Sequence, residues 1–276
     1  MIPLIICADD YAQSAAIDAG IIALIEQGRL TAASCLTSSP RWFDAAKLLT
    51  LAIRNKADIG LHLDFTQYGS GIRYDLPMLI VRTLSYSLSV SKIRDSISRQ
   101  LDQFEAALGM PPDYIDGHQH VHQLPQIRDV LLDIVTQRYN PNLPWIRIAR
   151  PHAADGFKAR VIAVLGAAAL QQRASEAGLR CNSTLLGVYG FDVEAAAYRQ
   201  KLSQWLEFAR KGSDNGISAL MCHPAIASDR SEIGDPIYKA RLQEYQVFAS
   251  EDFPALLAQH GIESVRGIVL GSADKK

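Results

Sequence analysis

The stretch Tyr114-Ile115-Asp116-Gly117-His118-Gln119-His120-Val121-His122 leads from a short apolar run into a segment that holds three of the seven histidines of the chain. Side chains at every second position of an extended strand point to the same side, so His118, His120 and His122 would share one face. Imidazole is a common ligand of divalent metals, and two imidazoles with a carboxylate are typical of hydrolytic metal sites. The stretch predicts a strand that ends at a metal site; a polar loop with solvated histidines is the alternative.

The same arrangement, an apolar run with polar residues at its carboxyl end, recurs along the chain. Further runs of this kind cover residues 3–8, 57–63, 145–148 and 218–222. Continuous apolar runs predict strands that are buried on both faces, as in parallel sheets. The polar residues in or directly after these runs are Asp9, Asp10, His62, Arg147 and His223.

Amphipathic segments between the apolar runs predict helices. Ser14 is expected to cap a helix that reaches Gln27, Ser91 to cap a second helix, and Pro125 to start a third. Other predicted helices cover residues 40–51, an alanine-rich region that ends near 178, and residues 192–211 and 236–259; other predicted strands cover residues 31–37, 182–189 and 261–270. This alternation implies a parallel sheet, because parallel strands need crossover connections.

Seven or eight such units predict an α/β fold, an irregular (β/α) barrel of parallel strands that forms a single domain over residues 1–276. No G-x-G-x-x-G motif follows the first predicted strand, which counts against a dinucleotide-binding fold. Residues 68–90 are the least regular part of the sequence. Their glycines, tyrosines and serines suggest an inserted lobe or lid over the site, with a plain surface loop as the alternative.

Composition and charge exclude several classes of protein. With 48% hydrophobic and 21% charged residues and a net charge of −1, the chain resembles soluble globular proteins and has no basic field for nucleic acid. Its start lacks the basic region of a signal peptide, and the longest apolar stretch, residues 161–170, is too short to span a bilayer. The four cysteines are scattered, which favours buried free thiols. We therefore expect a cytoplasmic protein without a transmembrane segment, and a homodimer is left open.

The polar residues at the strand ends suit hydrolysis of an amide or ester. Barrel active sites are built at the carboxyl ends of the strands. Asp10, His62 and His118 offer one carboxylate and two imidazoles, which leaves coordination positions of a divalent ion open. Asp9 is then placed to take a proton from water, and His223 to protonate the leaving group. Each residue alone also has a simpler explanation, such as helix capping by an aspartate or a structural role for a histidine.

Four motifs span nearly the full length of the chain: Ala8-Asp9-Asp10-Tyr11, Gly60-Leu61-His62, Asp116-Gly117-His118-Gln119-His120-Val121-His122 and Cys222-His223-Pro224. In kind and order they resemble the motifs of the YdjC-like carbohydrate deacetylases, which include chitooligosaccharide deacetylases and hopanoid-biosynthesis-associated deacetylases. The resemblance implies an irregular (β/α) barrel and one divalent metal ion, usually magnesium or zinc, held by Asp10, His62 and His118. It also implies Asp9 as the catalytic base and, less directly, His223 as the acid.

The resemblance further implies that His120 and His122 support the ligands or face the substrate, and we assign both, with Arg147, to substrate binding. The sequence departs from the family at two places. Tyr11-Ala12-Gln13-Ser14 stands where the family commonly has Phe-Gly-Leu-Ser, and Gln119 interrupts a run that is often His-His-His. Neither departure changes the ligand set, but both leave the identity of the sugar open.

The sequence therefore predicts a metal-dependent hydrolase that removes an N-acetyl group from an acetylated sugar, oligosaccharide or glycolipid. One alternative is another metal-dependent barrel hydrolase, an amidohydrolase or phosphoesterase, which would usually carry His-x-His on the opening strand. A second alternative is a catalytically silent carbohydrate-binding barrel. Binding alone would not need Asp9 beside the ligand Asp10, which speaks against this alternative.

Overall fold

The computed structural model describes residues 1–152, 163–228 and 234–270, which fold around one curled sheet of parallel strands. Neighbouring strands follow the order β5-β4-β3-β2-β1-β7-β6, and β8 pairs with the start of β1. The strands are β1 Ile2–Tyr11, β2 Ala32–Cys35, β3 Asp58–Leu63, β4 Tyr114–Gly117, β5 Trp145–Ile146, β6 Leu185–Leu186, β7 Ser218–Cys222 and β8 Ile262–Ser264.

Two isolated bridges bring the ends of the sheet together. Ile146 of β5 pairs with Cys181, and Pro151 pairs with Leu185 of β6, both in parallel orientation. The sheet thus curls into an irregular (β/α) barrel, and the predicted barrel of seven or eight parallel strands is confirmed. None of the helices within the described ranges has the length and apolar character needed to cross a membrane.

Helices connect the strands and cover the sheet. Ser14 caps the first helix as predicted, because its Oγ accepts a hydrogen bond from the backbone N–H of Ile17 at 3.3 Å. The prediction that Ser91 caps the helix before β4 is wrong, since Ser89 accepts the capping bond from Lys92 at 3.4 Å. The helices are α1 Ala15–Glu26, α2 Trp42–Ala45, α3 Leu51–Arg54, α4 Leu76–Leu84, α5 Val90–Leu108, α6 Ile127–Tyr139, α7 Ala168–Glu176, α8 Ala195–Lys211, α9 Tyr238–Ala249 and α10 Asp252–Gln259.

Two helices predicted as continuous are broken. The segment predicted as one helix over residues 40–51 forms α2, a short 3₁₀ turn and α3, with Thr50 in an extended conformation between them. The segment predicted as one helix over residues 236–259 divides into α9 and α10. Pro254 has no N–H to bond the carbonyl of Ser250, so a continuous helix would lose a hydrogen bond at this point. The first part of the predicted alanine-rich helix lies outside the described residues.

Strands β5 and β6 are shorter than the predicted strands over residues 145–148 and 182–189. Between the two backbone bridges that join them, the side chain of Asn182 adds further hydrogen bonds. Its Oδ1 accepts from the N–H of Ile148 at 2.7 Å, and its Nδ2 donates to the carbonyl of Ile148 at 3.1 Å. The barrel therefore closes here through a side-chain amide as well as through the two backbone bridges, and a hydrophobic pattern does not reveal this amide.

The side chains of β1 alternate between two buried layers. Leu4 and Ile6 pack with helix residues, whereas Ile5 and Cys7 pack with residues of other strands inside the barrel. This is the predicted strand buried on both faces. The four cysteines are free, and Cys7, Cys35 and Cys222 are buried, as predicted.

The predicted histidine strand is wrong. Strand β4 ends at Gly117, and residues His118–Gln123 form a 3₁₀ segment in which Gln119 and His120 have positive φ angles of 53° and 61°. Beyond this turn His122 is fully buried, and its Nε2 bonds the backbone carbonyl of Arg147 at 2.8 Å. The three histidines therefore do not share one strand face.

Candidate active site

A turn at the end of β1 brings both aspartates to one side of the barrel. The pairing of β1 with β2 shifts register between Ala8 and Tyr11, and Asp10 lies in the left-handed region with φ 69°. In a regular strand, neighbouring side chains would point in opposite directions. The irregular turn lets Asp9 and Asp10 face the same cavity.

Asp10, His62 and His118 form a cluster that could hold a metal ion. One ligand atom from each residue lies within 4.8 Å of the others. Oδ1 of Asp10 is 2.9 Å from Nδ1 of His118 and 3.4 Å from Nε2 of His62. Burial alone would raise the pKa of Asp10, but Arg241 and His118 hold that pKa well below its usual range. Asp10 is therefore an ionised ligand candidate.

The pairing of β3 with β4 sets the orientation of the His62 ring. His62 and Asp116 are directly opposed in the two strands, and Nδ1 of His62 lies 2.6 Å from Oδ1 of Asp116. Nε2 of His62 is thereby directed at Asp10. Burial lowers the pKa of His62, but Asp116 and Asp9 outweigh this effect and raise the pKa to about 10. Oδ2 of Asp116 accepts from Oγ of Ser34 at 2.5 Å.

Arg147 lies between Asp9 and Asp116 beneath the cluster. Its Nη1 and Nη2 donate to the two oxygens of Asp9, each at 2.6 Å, and Nη2 also lies 2.8 Å from Oδ2 of Asp116. Asp9, His62 and Asp116 also have the spacing of a cation site. In this structure the guanidinium of Arg147 supplies the positive charge between the two carboxylates, so it orients Asp9 and, through Asp116, the ring of His62.

His223 lines the same cavity and lies directly after β7. Its Nε2 is 3.9 Å from Oδ2 of Asp9, and its Nδ1 is 4.0 Å from Oε1 of Glu244. Glu244 accepts from the backbone N–H of His223 and, at 2.6 Å, from the hydroxyl of Tyr189. Burial lowers the pKa of His223 to about 4, although Asp9 and Asp10 act in the opposite direction. Burial raises the pKa of Glu244 to about 7.

These groups face a cavity of about 1010 Å³ whose walls come from several strand ends. Gln67 and Tyr68 follow β3, and Phe191 follows β6, so two aromatic rings border the space. Leu76 and Ile80 of α4 also line it. Part of the segment 68–90 therefore borders the cavity, and its description as an inserted lobe or lid stays a prediction.

The structure brings most of the predicted site residues to this cavity. Asp9, Asp10, His62, His118 and His223 line it, and so does His120. His122 and Arg147 are buried, with 0% and 1% exposure, and are not among the described residues that line the cavity. These two residues therefore lie behind the cavity wall, where neither makes up part of its surface.

Arg241, Glu244 and Asp116 also belong to the site, and no role was predicted for them from the sequence. Arg241 and Glu244 lie on the buried side of α9, among Ala240, Val247 and Phe248. The sequence signal for both was a charged residue on the apolar face of a predicted helix. Charged side chains are almost never fully buried without partners, so such a residue indicates a buried ion pair. For Asp116 the signal was its position on the strand before His118, since a carboxylate often orients a metal-binding histidine.

A family model described as YdjC-like protein matches residues 3–259. The chain belongs to the YdjC-like family. The resemblance inferred from the four motifs is thereby confirmed, and the match extends over strands β1 to β7 and the helices between them.

Relatives of this YdjC-like chain carry names that state an activity. The chain is 26% identical over 284 residues to a chitooligosaccharide deacetylase of Yersinia enterocolitica serotype O:8 / biotype 1B, with 98% of this chain and 97% of that protein covered. It is 22% identical over 269 residues to a carbohydrate deacetylase of Geobacillus stearothermophilus, with 95% of each covered.

The fold is also that of a solved structure from Enterococcus faecalis V583, a protein provisionally named for cellobiose-phosphate cleavage. The TM-score is 0.72 at 19% sequence identity, and the superposition covers 96% of this chain and 97% of that one. This likeness shows that the two proteins share a fold.

Proposed function

We propose that this YdjC-like protein is a metal-dependent carbohydrate deacetylase, a hydrolase that removes an N-acetyl group from an acetylated sugar, oligosaccharide or glycolipid. The observation that carries the proposal is the cluster of Asp10, His62 and His118 at one cavity, beside Asp9 and His223. The two relatives named above are carbohydrate deacetylases, which supports the same class of reaction.

The donor set fits one divalent ion such as magnesium or zinc. It combines a carboxylate oxygen with two imidazole nitrogens, and Nδ1 of His62 is paired with Asp116. The raised pKa of His62 means that its Nε2 would have to release a proton when an ion binds, because imidazole binds metals in its neutral form. A carboxylate paired with the second ring nitrogen is the usual way in which proteins orient a metal-binding histidine. Three protein ligands leave room for water and substrate. When bound, the ion would act as a Lewis acid toward the amide carbonyl and would make water more acidic.

Asp9 and His223 are the groups that we assign to proton transfer. Hydrolysis of an acetamido group forms a C–O bond, breaks the C–N bond and gives acetate and a free amine. Asp9 would accept the proton of the attacking water, because each of its oxygens bonds Arg147 but keeps a further lone pair. His223 has a lowered pKa and is neutral near pH 7, so it would first take up the proton that Asp9 accepts and then deliver it to the leaving nitrogen. Its Nε2 lies 3.9 Å from Asp9, so donor and acceptor of protons are neighbours.

The remaining predicted site residues divide into two groups in this proposal. His120 lines the cavity and is assigned to contact with the substrate. His122 and Arg147 are assigned to positioning, because His122 bonds the backbone carbonyl of Arg147 and Arg147 binds Asp9. The aromatic rings of Tyr68 and Phe191 offer surfaces against which a sugar ring could pack.

The proposal is tested by measuring acetate release. Protein stripped with a chelator is reloaded separately with Mg²⁺ and Zn²⁺ and incubated with N-acetylated oligosaccharides and with N-acetylated glycolipids. We expect acetate and free amine in equal amounts with at least one metal, and none from His118→Ala. Hydrolysis of phosphate esters without any acetate release from these substrates would contradict the proposal and favour the phosphoesterase alternative.

A further inference from the structure

Arg241 is a charged residue at a helix position that packing would normally give to an apolar one. It belongs to the buried side of α9 and is only 2% exposed. A buried charge is costly unless it is paired and hydrogen-bonded. The partners of Arg241 therefore indicate what it does in this fold.

Each guanidinium nitrogen of Arg241 contacts a different part of the cavity wall. Nη2 donates to Oδ2 of Asp10 at 2.7 Å, at the end of β1. Nε donates to Oδ2 of Asp235 at 2.6 Å, in the cavity-lining segment before α9. Nη1 lies 3.5 Å from the backbone carbonyl of His223, after β7. Arg241 thus joins the proposed metal ligand Asp10 to two other walls of the site.

The two oxygens of Asp10 face different partners. Oδ1 is directed at His118 and His62, and Oδ2 accepts a hydrogen bond from Arg241. We infer that Arg241 is a positioning residue that limits Asp10 to one-oxygen coordination of the metal and keeps a positive charge beside it; this rests on the proposed metal site. The arrangement lowers the affinity of the site for a cation. A metal held there would be more electron-poor beside the charge of Arg241, so it would polarise an amide carbonyl more strongly.

The sign of the effect on metal affinity separates this role from a merely structural one. If Arg241 only held Asp10 in place, its loss would weaken metal binding, as loss of groups that support ligands commonly does by about 10–100-fold. The proposed role predicts the reverse for Arg241→Gln. Asp10 then gains a second free oxygen, and a charge that repels the cation is removed.

Titration with Co²⁺ tests the inference on the full chain. The visible absorption of Co²⁺ reports its coordination as well as its binding, because it depends on the number and geometry of the ligands. For Arg241→Gln we expect a dissociation constant at least about tenfold lower than in the wild type, the effect of one lost charge near the ion. We also expect an altered absorption band, and a lower kcat with little change in KM.

Arg138→Gln is the matched control, and it should bind Co²⁺ like the wild type. Arg138 also bonds two carboxylates, those of Asp102 and Glu105, but it does not line the cavity. Equal or weaker Co²⁺ binding by folded Arg241→Gln overturns the inference.

If Arg241→Gln does not fold, Asp235→Asn decides. In this variant the guanidinium of Arg241 still bonds Asp10, but the negative charge of Asp235 no longer balances its positive charge. Co²⁺ binding should therefore weaken, and the shape of the absorption band should not change. Unchanged or tighter binding, or an altered band, overturns the inference. Absence of Co²⁺ binding by the wild type would instead contradict the proposed metal site itself, and the inference with it.

Discussion

At the scale of single residues, the two adjacent aspartates of the site have different partners. Both oxygens of Asp9 accept from Arg147, whereas Oδ1 of Asp10 faces the imidazoles of His62 and His118. Asp9 is thus held beside the cluster by a protein cation, and Asp10 belongs to the cluster. The two residues should therefore respond differently to loss of charge.

Asp9→Asn should keep its metal and lose turnover. The amide cannot accept a proton, and general-base contributions are typically about 10²–10⁴-fold, so kcat should fall by that factor with a smaller effect on KM. Metal content and kcat are measured on the same preparation. Asp10→Asn is the control, and it should lose metal together with activity. Near-normal turnover by Asp9→Asn would exclude Asp9 as the base, and loss of its metal would make it a ligand instead.

Glu244 should make the stability of the protein depend on pH. Burial raises its pKa to about 7, above the 4.5 of an exposed glutamate, so the folded state favours the protonated form. Its contribution to stability is complete below pH 4.5 and is lost as the pH rises through 7. The free energy of unfolding should fall over this window by on the order of 1–3 kcal/mol.

The measurement is urea unfolding of wild type and Glu244→Gln at pH 5 and pH 8. The glutamine side chain is neutral at both values, so the variant should lose less stability between pH 5 and pH 8 than the wild type. Equal losses in the two proteins would show that Glu244 does not titrate in this range.

At the scale of elements, helix α5 fixes the turn that follows β3. The side-chain amide of Gln100 pairs with the backbone of Asp64, accepting from its N–H and donating to its carbonyl, each at 2.9 Å. The carboxylate of Asp64 in turn accepts from the backbone N–H of Gln67 at 2.9 Å and of Tyr68 at 2.5 Å. Two cavity-lining residues are therefore placed by one buried glutamine.

Gln100→Leu should impair substrate binding more than the chemical step. The substitution leaves the buried N–H and carbonyl of Asp64 unpaired, and each unpaired group lowers the free energy of unfolding by about 1–3 kcal/mol. We expect lower stability and a several-fold higher KM, with kcat changed less. Gln103→Leu on the same helix is the control, because the side-chain oxygen of Gln103 has no hydrogen-bond partner among the described residues. Equal kinetic effects of the two substitutions would refute the role given to Gln100.

At the scale of the whole molecule, the proposed metal ligands join separate parts of the barrel. Asp10 lies near the end of β1, His62 lies in β3 and His118 follows β4. In the unfolded chain these residues are far apart, so an ion that binds them together binds the folded state only. Metal binding should therefore stabilise the whole barrel.

Metal at 100 times its dissociation constant should add about 2.7 kcal/mol to the free energy of unfolding. For a chain of this size this corresponds to a rise in Tm of about 5 °C. The measurement is thermal unfolding of stripped protein with and without added metal. His118→Ala should show no rise, and an equal rise in that variant would mean that the ion binds elsewhere.

The barrel could be predicted because its strands are locally encoded. Strand β1 is apolar on both faces, and Ser14 marks the start of α1. Both elements can therefore be predicted from their own residues, without knowledge of the rest of the structure. Strand boundaries were harder, since the segment after β5 is bonded by Asn182, a residue distant from it in sequence. The break before α10 depends on Pro254 and was open to prediction from the sequence.

The sequence by itself determined the chemical content of the site. Asp9, Asp10, His62, His118 and His223 each follow or end an apolar run, and the carboxyl ends of parallel strands must meet at one end of a barrel. That rule predicted which residues gather at the cavity from strand order alone. It did not require any knowledge of side-chain contacts.

Only the tertiary structure decided how these groups are oriented and supported. The left-handed turn at Asp10, the 3₁₀ path of His118–Gln123 and the inward position of Arg147 all depend on contacts between strands distant in sequence. The same is true of Arg241, whose bond to Asp10 spans 231 positions of the chain. The periodicity of hydrophobic residues shows which face of a helix or strand is buried. A buried charge, however, is stable only if a partner of opposite charge lies next to it. The position of that partner is fixed by the packing of the whole barrel.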